Sequence, residues 1–285
     1  METVRPFNEA IVSWNGLRPE KGKWTLYISL HQQSWSPWLK YAEWTPLTQK
    51  TFKTAPIDSF AETYQDAIQP KTGHCDSLRV KIIAEEGATL QHLDSLYVCL
   101  SDLSSLSIQP TPSLSPILLP NVPRQSQIIL DHPRNKDMCS PTSTSTAINY
   151  LLRKHAIHPL HFASRSHDDE FDIYGNWILN TAEAYQHLNG LYRVHVARLN
   201  NFTALHSYLA KNHPVVVSIK GPIRGAPRVY TSGHLVCIIG YDNNRVLAID
   251  PAAPDNESTF VSYTLQDFLK AWSLRSNLAY LFTAK

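Results

Sequence analysis

The chain has 285 residues, 43% of them apolar and 18% charged, with 26 Lys+Arg against 24 Asp+Glu for a formal net charge of +2. That is the composition of a soluble globular protein built as two domains or one large one. The near balance of charge, with no Lys/Arg run, gives no footprint for a polyanion and excludes nucleic acid as an expected partner. No window reaches the roughly 18 apolar residues of a membrane span. The opening METVRPFNEAIVSW has no apolar h-region, so a cytoplasmic location is expected for the chain as it stands, with secretion the alternative if a signal was trimmed.

Residues 1–105 read as β. Trp24–Leu30 and Leu78–Ile83 alternate, Leu96–Leu100 is a short apolar run, and Asn15-Gly16, Lys21-Gly22 and Glu86-Gly87 punctuate them. Short strands with such breaks predict a β-sandwich-like accessory domain. Five of the seven tryptophans fall here (Trp14, Trp24, Trp35, Trp38, Trp44). They fit either a platform for a carbohydrate or protein ligand, or a small core that relies on large rings for buried area. Residues 106–123 hold five prolines and no charge, the composition of an extended linker; within it Ile117-Leu118-Leu119 can dock on a neighbouring domain.

Residues 124–285 alternate helix and strand. Pro141 fits the first turn of a helix and little else, and Ala147, Ile148, Leu151 and Leu152 give the following segment one apolar face. Helices are expected around 181–188, 202–211 and 265–272, and strands at 192–197, 214–219 and 279–282. The whole chain is thus expected to be α+β. The polar stretch 164–172 reads as a solvated loop.

The chemistry starts at Cys139. It stands at or just before the helix N-terminus, where the partial positive charge favours thiolate over thiol. The other cysteines, Cys75, Cys99 and Cys237, form no CxxC pair, which excludes a zinc ribbon or thioredoxin motif. Cys99 and Cys237 lie in apolar runs and read as small buried hydrophobes. A thiolate catalyst needs a base and a group to orient it. His234–Gly240 and Val246–Asp250 read as two strands folded about an Asp242–Asn244 turn, with Pro251 as the stop. In that hairpin His234 and Asp250 lie side by side at the open end, where opposed Cβ atoms are about 5 Å apart. For the oxyanion, the Cys139 N–H is one donor and the side-chain amide of Gln127 is a candidate second, with Gln125 its rival. Tyr174-Gly175-Asn176-Trp177 is either a cleft segment, with Asn176 and Trp177 touching substrate, or a turn with a core tryptophan. His155, His158 and His161 could suggest metal, but Pro159 is expected to break a helix there, so no metal site is assigned. No cofactor is implied.

These residues resemble a family. VPRQSQ…MCSPTSTSTAINYL, GNWILNTAEAY, PVVVSI and SGHLVCIIGY…VLAIDPA together look like the C39-like branch of papain-like cysteine peptidases, over roughly 122–285. The resemblance implies a papain-like catalytic domain over 124–285, with Cys139 as nucleophile, His234 as base, Asp250 as orienting residue and Gln127 as oxyanion donor. Ser140 stands where many members have glycine, and its side chain is expected to narrow the cleft. The SWNGLRP and WSPWLKYAEW segments look like the β-rich domain that precedes this peptidase domain in some bacterial proteins. The implied partner is a peptide or protein substrate, cleaved at a peptide or isopeptide bond. Two other readings share the residues: acyl transfer of the transglutaminase type, and a ligand-binding protein with an idle site.

Overall fold

The computed structural model describes residues 5–105, 113–154 and 156–285. His155 and residues 106–112 of the expected linker lie outside the described residues. Eight strands come first: β1 (Glu9–Gly16), β2 (Lys23–His31), β3 (Leu39–Trp44), β4 (Gln49–Thr51), β5 (Ala61–Tyr64), β6 (Ala67–Pro70), β7 (Ser77–Glu85) and β8 (Leu93–Ser101). They form two antiparallel four-stranded sheets, ordered β5-β6-β1-β8 and β4-β3-β2-β7. Trp14, Trp24 and Trp44 are fully buried, and Trp14 meets Trp44 edge to face at 5.6 Å. These three rings are core. Trp35 and Trp38 instead sandwich Arg79, whose guanidinium stands 4.4 and 4.5 Å from their centroids.

The rest of the chain runs β9 (Ile117–Leu118), α1 (Cys139–Leu152), α2 (Pro159–Ser166), α3 (Trp177–His187), β10 (Tyr192–Arg198), α4 (Phe202–Leu209), β11 (Val215–Gly221), β12 (Tyr230–Asp242), β13 (Arg245–Ile249), β14 (Phe260–Thr264), α5 (Leu265–Ser273) and β15 (Leu278–Ala284). The seven-stranded sheet is ordered β10-β15-β11-β12-β13-β14, with β9 added beside β12. Part of the proline-rich segment is therefore a strand of this sheet: Leu118 and Ile117 pair with Gly240 and Tyr241.

The first ten residues of α1 after Cys139, Ser140–Asn149, are all buried, not one face of them. The helix packs on β12, α2 and α3 at once. Small Ser, Thr and Ala side chains permit that close approach, and several of their hydroxyls find partners: Ser143 Oγ donates to the Leu235 carbonyl at 3.0 Å and Thr146 Oγ1 to Gln125 Oε1 at 3.0 Å, whereas those of Thr142 and Thr144 have none among the described residues. Two other expectations need correction. Pro159 begins α2 instead of breaking a helix; it occupies a first-turn position, where its missing N–H has no partner to lose, and His158 caps the helix through Leu160 N–H at 3.2 Å. The segment 164–172 is not a wholly solvated loop either. Asp168 is fully buried and pairs with β4, accepting Thr51 N–H at 3.2 Å and the Thr51 hydroxyl.

The β-rich part is joined to the helical part by a buried polar seam. β10 is the edge of the seven-stranded sheet, and its outward N–H groups would need covering. Asn15 Oδ1 accepts from Val194 N–H at 2.8 Å, Ser13 Oγ from Val196 N–H at 3.3 Å and Cys99 Sγ from Arg198 N–H at 3.3 Å. Beside them Arg18 reaches Glu183 of α3 at 2.9 Å, with only 5% and 0% of the two side chains exposed. The same guanidinium stacks on Trp44 at 3.6 Å and donates to the Thr45 carbonyl at 2.8 Å. Breaking the pair from the Arg18 side leaves the buried Glu183 with Arg165 at 3.2 Å and His187 at 3.1 Å, and strips Trp44 of its stacked guanidinium. Arg18→Ala is therefore expected to lower unfolding stability by about 3 kcal/mol in urea titrations, and a loss under 1 kcal/mol would contradict a structural role for the pair.

Candidate active site

Cys139 is the first residue of α1, following a short 3-10 turn at Asn135–Asp137. Its own N–H has no intrahelical carbonyl to bond, as at every helix start. The residue is half-buried, and its sulfur faces His234 on β12. Burial acts to raise the thiol pKa, but hydrogen bonding and charge from His234, together with the N–H groups of Leu235 and Ser140, outweigh it and hold the thiol below its ordinary value. Burial likewise works against the imidazolium, yet the charge of Asp250, its hydrogen bond and Cys139 raise His234 to about 9. Both directions favour a thiolate–imidazolium pair.

His234 Nε2 lies 2.9 Å from Asp250 Oδ1, with the two residues 3% and 0% exposed. That leaves Nδ1 as the ring's other proton site. The hairpin that brings the two together differs from the expected one in an instructive way. Its turn is two residues, Asn243 and Asn244, both left-handed at φ 46° and 59°, which matches a type I′ hairpin. Near the turn, Gly240 pairs with Leu247; past an irregularity at Ile239, Cys237 pairs with Ile249. Continuing the tip register would set Asp250 against Cys237, on the face opposite His234, because faces alternate. The one-residue bulge sets it against Val236 instead, on the face of His234 and diagonal to it. Gly240 is needed beside the bulge, since a Cβ there would stand 2.5 Å from the Ile117 carbonyl oxygen of β9.

Two tyrosines complete the acid's surroundings, and neither was singled out from the sequence. The Tyr230 and Tyr263 hydroxyls both donate to Asp250 Oδ2, the latter at 2.6 Å. Ala252 N–H adds a bond to Oδ1 at 2.9 Å. Burial alone would raise the Asp250 carboxyl, but the His234 charge and these hydroxyls hold it below its ordinary value. Tyr230 also stacks on the His234 ring, with centroids 4.0 Å apart and planes within 13°.

A cleft of about 630 Å³ opens over Cys139 and His234. Trp177 lines it, at the first position of α3. So does Gln65, from the left-handed turn between β5 and β6, which makes the β-rich part a wall of the cleft. Asp66 next to it caps α3 by accepting the N–H groups of Trp177 and, at 3.4 Å, Ile178.

Three expected site residues lie elsewhere. Gln127 is fully buried, and its Nε2 donates to the carbonyls of Asn135 and Lys136 at 3.0 and 2.7 Å. It braces the turn that leads into Cys139, so it holds no amide hydrogen free for an oxyanion. Its rival Gln125 faces Ser145 and Thr146 of α1. Asn176 is fully buried as the cap of α3, accepting Leu179 N–H at 3.1 Å and donating to Asp168 Oδ2 at 2.7 Å, so it does not touch the cleft. Ser140 is fully buried against Tyr280, with the hydroxyls 2.9 Å apart, because the second residue of α1 points into the sheet.

A thiol at a helix start, facing a histidine that a buried carboxylate holds, defines a thiol hydrolase of the cysteine peptidase class. The chain belongs to the Peptidase_C39 like family, which it matches over residues 119–280, more than half its length. Solved structures similar to it include a protein from Bacillus anthracis described as a C39-like peptidase (18% identity, TM-score 0.47, covering 60% of this chain and 98% of that one). Another is the peptidase domain of Streptococcus ComA, a bi-functional ABC transporter of a quorum-sensing pathway (16% identity, TM-score 0.40, covering 58% and 100%). A third is a double-glycine-motif protease from an AMS/PCAT transporter in complex with its leader peptide (11% identity, TM-score 0.38, covering 61% and 100%). No curated protein matches the chain. Among the described residues no helix is long and apolar enough to cross a membrane.

Proposed function

We propose that the protein hydrolyses a peptide or isopeptide bond through a thioester on Cys139, with His234 as the general acid–base and Asp250 as the residue that orients it. The observation that carries this reading is the juxtaposition of Cys139 at the start of α1 with His234, which Asp250 holds at 2.9 Å; the lowered thiol and raised imidazole agree with it. The thiolate attacks the carbonyl carbon, His234 protonates the departing amine, and the neutral imidazole then activates water to break the thioester. The Cys139 N–H is the backbone donor for the oxyanion. Trp177 and Gln65 contact the peptide. The two N-terminal sheets form a β-sandwich that shapes one wall of the cleft, with residues 113–123 as the connection onto the catalytic domain.

The test is alkylation followed by turnover. Burial pushes the Cys75 thiol up to about 12 and raises Cys99 and Cys237 as well, whereas Cys139 is lowered. At pH 6 iodoacetamide is expected to modify Cys139 at least about tenfold faster than the other three, read by peptide mapping, with peptide hydrolysis lost in step. Equal labelling of all four in the native protein would overturn the reading. An added amine that diverts the acyl group from acid to amide would move the assignment to acyl transfer.

A further inference from the structure

Arg275, in the turn after α5, lines the cleft with Cys139, Trp177 and Gln65. Its guanidinium is fixed on three sides. Nε donates to Ser218 Oγ at 3.2 Å, the Trp177 ring centroid is 5.4 Å away, and the group lies against Gly233, the residue before His234. A Cβ at position 233 would stand 3.3 Å from Cζ, Nε and Nη2 of Arg275. Gly233 is not in the left-handed region, so its missing side chain serves clearance and not the backbone.

What this held guanidinium lacks is a partner. Among the described residues it forms no ion pair, and its two Nη groups make no hydrogen bond. The nearby carboxylates are committed elsewhere: Glu9 to Arg198 at 2.6 Å, and Asp66 to the first N–H groups of α3. Asp66 and Glu9 lie close enough to act on its charge but neither is hydrogen-bonded to it, and a planar fork left without direct acceptors matches a carboxylate in two bonds. The cleft as a whole leans the same way. Beside the Cys139–His234 pair its charged lining is Arg134, Lys136, Arg228 and Arg275 against Asp137; Arg134 is paired with both Asp137 at 3.1 Å and Asp172 at 2.5 Å, which leaves Lys136, Arg228 and Arg275 as the cations without an ion pair among the described residues.

We infer that the cleft selects an acidic peptide, with Arg275 gripping a substrate carboxylate beside the scissile bond. This inference rests on the peptidase reading above. The carboxylate has two sources, an Asp or Glu side chain or the chain terminus, and the shared chemistry is a forked guanidinium–carboxylate contact.

The experiment compares matched peptides: Glu against Gln at each position flanking the cleaved bond, and free acid against amide at the C-terminus. The wild-type protein is expected to favour one carboxylate-bearing member at least about tenfold in kcat/KM. Arg275→Gln should erase that preference, while Arg275→Lys, which keeps charge without the fork, retains part of it. Which pair shows the effect names the source. Equal cleavage of all pairs by the wild type, or an undiminished preference in Arg275→Gln, overturns the inference. A second arm needs no substrate: the rate ratio of iodoacetate to iodoacetamide at Cys139. It should fall several-fold in Arg275→Gln, and to a lesser extent in Arg275→Lys. An unchanged ratio overturns the role of Arg275. If no peptide is cleaved but the ratio falls, the peptidase reading fails while the carboxylate site stands.

Discussion

Cys139→Ala is expected to abolish turnover, by roughly a millionfold, while the fold survives. The rate loss follows because the neighbouring hydroxyl on α1 cannot replace the sulfur: Ser140, the next residue, points away into the sheet toward Tyr280. The fold survives because the substitution keeps Cβ, removes a single atom of a half-buried residue and puts the best helix former at the first position of α1. The variant also isolates the histidine. Its rise from 6.5 to about 9 corresponds to about 3 kcal/mol of preference for the imidazolium. A group raised on folding contributes stability that is fully present below its unfolded pKa and lost as pH rises through the folded one. His234 therefore stabilises the protein at pH 6, and that contribution is lost between pH 6.5 and about 9. Cys139 is one of the causes of the rise, after Asp250. In Cys139→Ala the loss should set in at lower pH, which urea titrations at pH 6, 7.5 and 9 can read. Residual turnover within tenfold of wild type would place the nucleophile elsewhere, and unfolding at pH 7 would show that the thiolate–imidazolium pair is structural as well as chemical.

Much of this site was legible because its signals are local. Pro141 fixes where α1 starts, the Asn243–Asn244 turn fixes the hairpin, and Pro251 fixes its end; those three place Cys139 at the helix start and bring His234 and Asp250 to the same end of the hairpin, but not to the same face. What was not legible depends on pairing across the fold. The bulge at Ile239 decides which face Asp250 occupies, and nothing in HLVCIIGY marks it except Gly240, whose need comes from the approach of β9. Asn176 reads as a cleft residue in YGNW, but its amide is spent on Asp168 and Thr51, the latter from the other part of the chain. Gln127 sits at a plausible distance before the cysteine, yet the turn at Asn135–Asp137 takes both its amide hydrogens. Gln65 and Arg275 reach the cleft from opposite ends of the sequence, and no period or motif connects them. Pro159 illustrates a smaller point: proline is a helix breaker only in the interior, and at the first turn it is a start signal.

Asp250 is where activity and stability are expected to fail together, and two substitutions separate them. Asp250→Ala strips the acceptor from four donors at once: His234 Nε2, the Tyr230 and Tyr263 hydroxyls, and Ala252 N–H. With an imidazolium left unpaired and the hydroxyls buried, about 3–5 kcal/mol of stability should be lost. Asp250→Asn keeps the shape and one acceptor oxygen but removes the charge. The Coulombic cause that comes next after burial in setting the His234 pKa then disappears, burial weighs more heavily, and the pKa falls, with Cys139 left as the group that still favours the imidazolium. The imidazolium is then less favoured, and the alkylation rate of Cys139 at pH 6 should fall. In wild type the alkaline limb of kcat/KM is expected near pH 9, where His234 loses the proton it must give to the leaving amine. In Asp250→Asn that limb should move to lower pH and the maximum fall by roughly 10⁴, the size of the effect when the carboxylate of a serine triad is made neutral. The pH profile is the decisive reading, because a merely structural residue would lower the curve without moving it. A profile that keeps its limb near 9 would show that Asp250 holds the histidine in place without setting its charge.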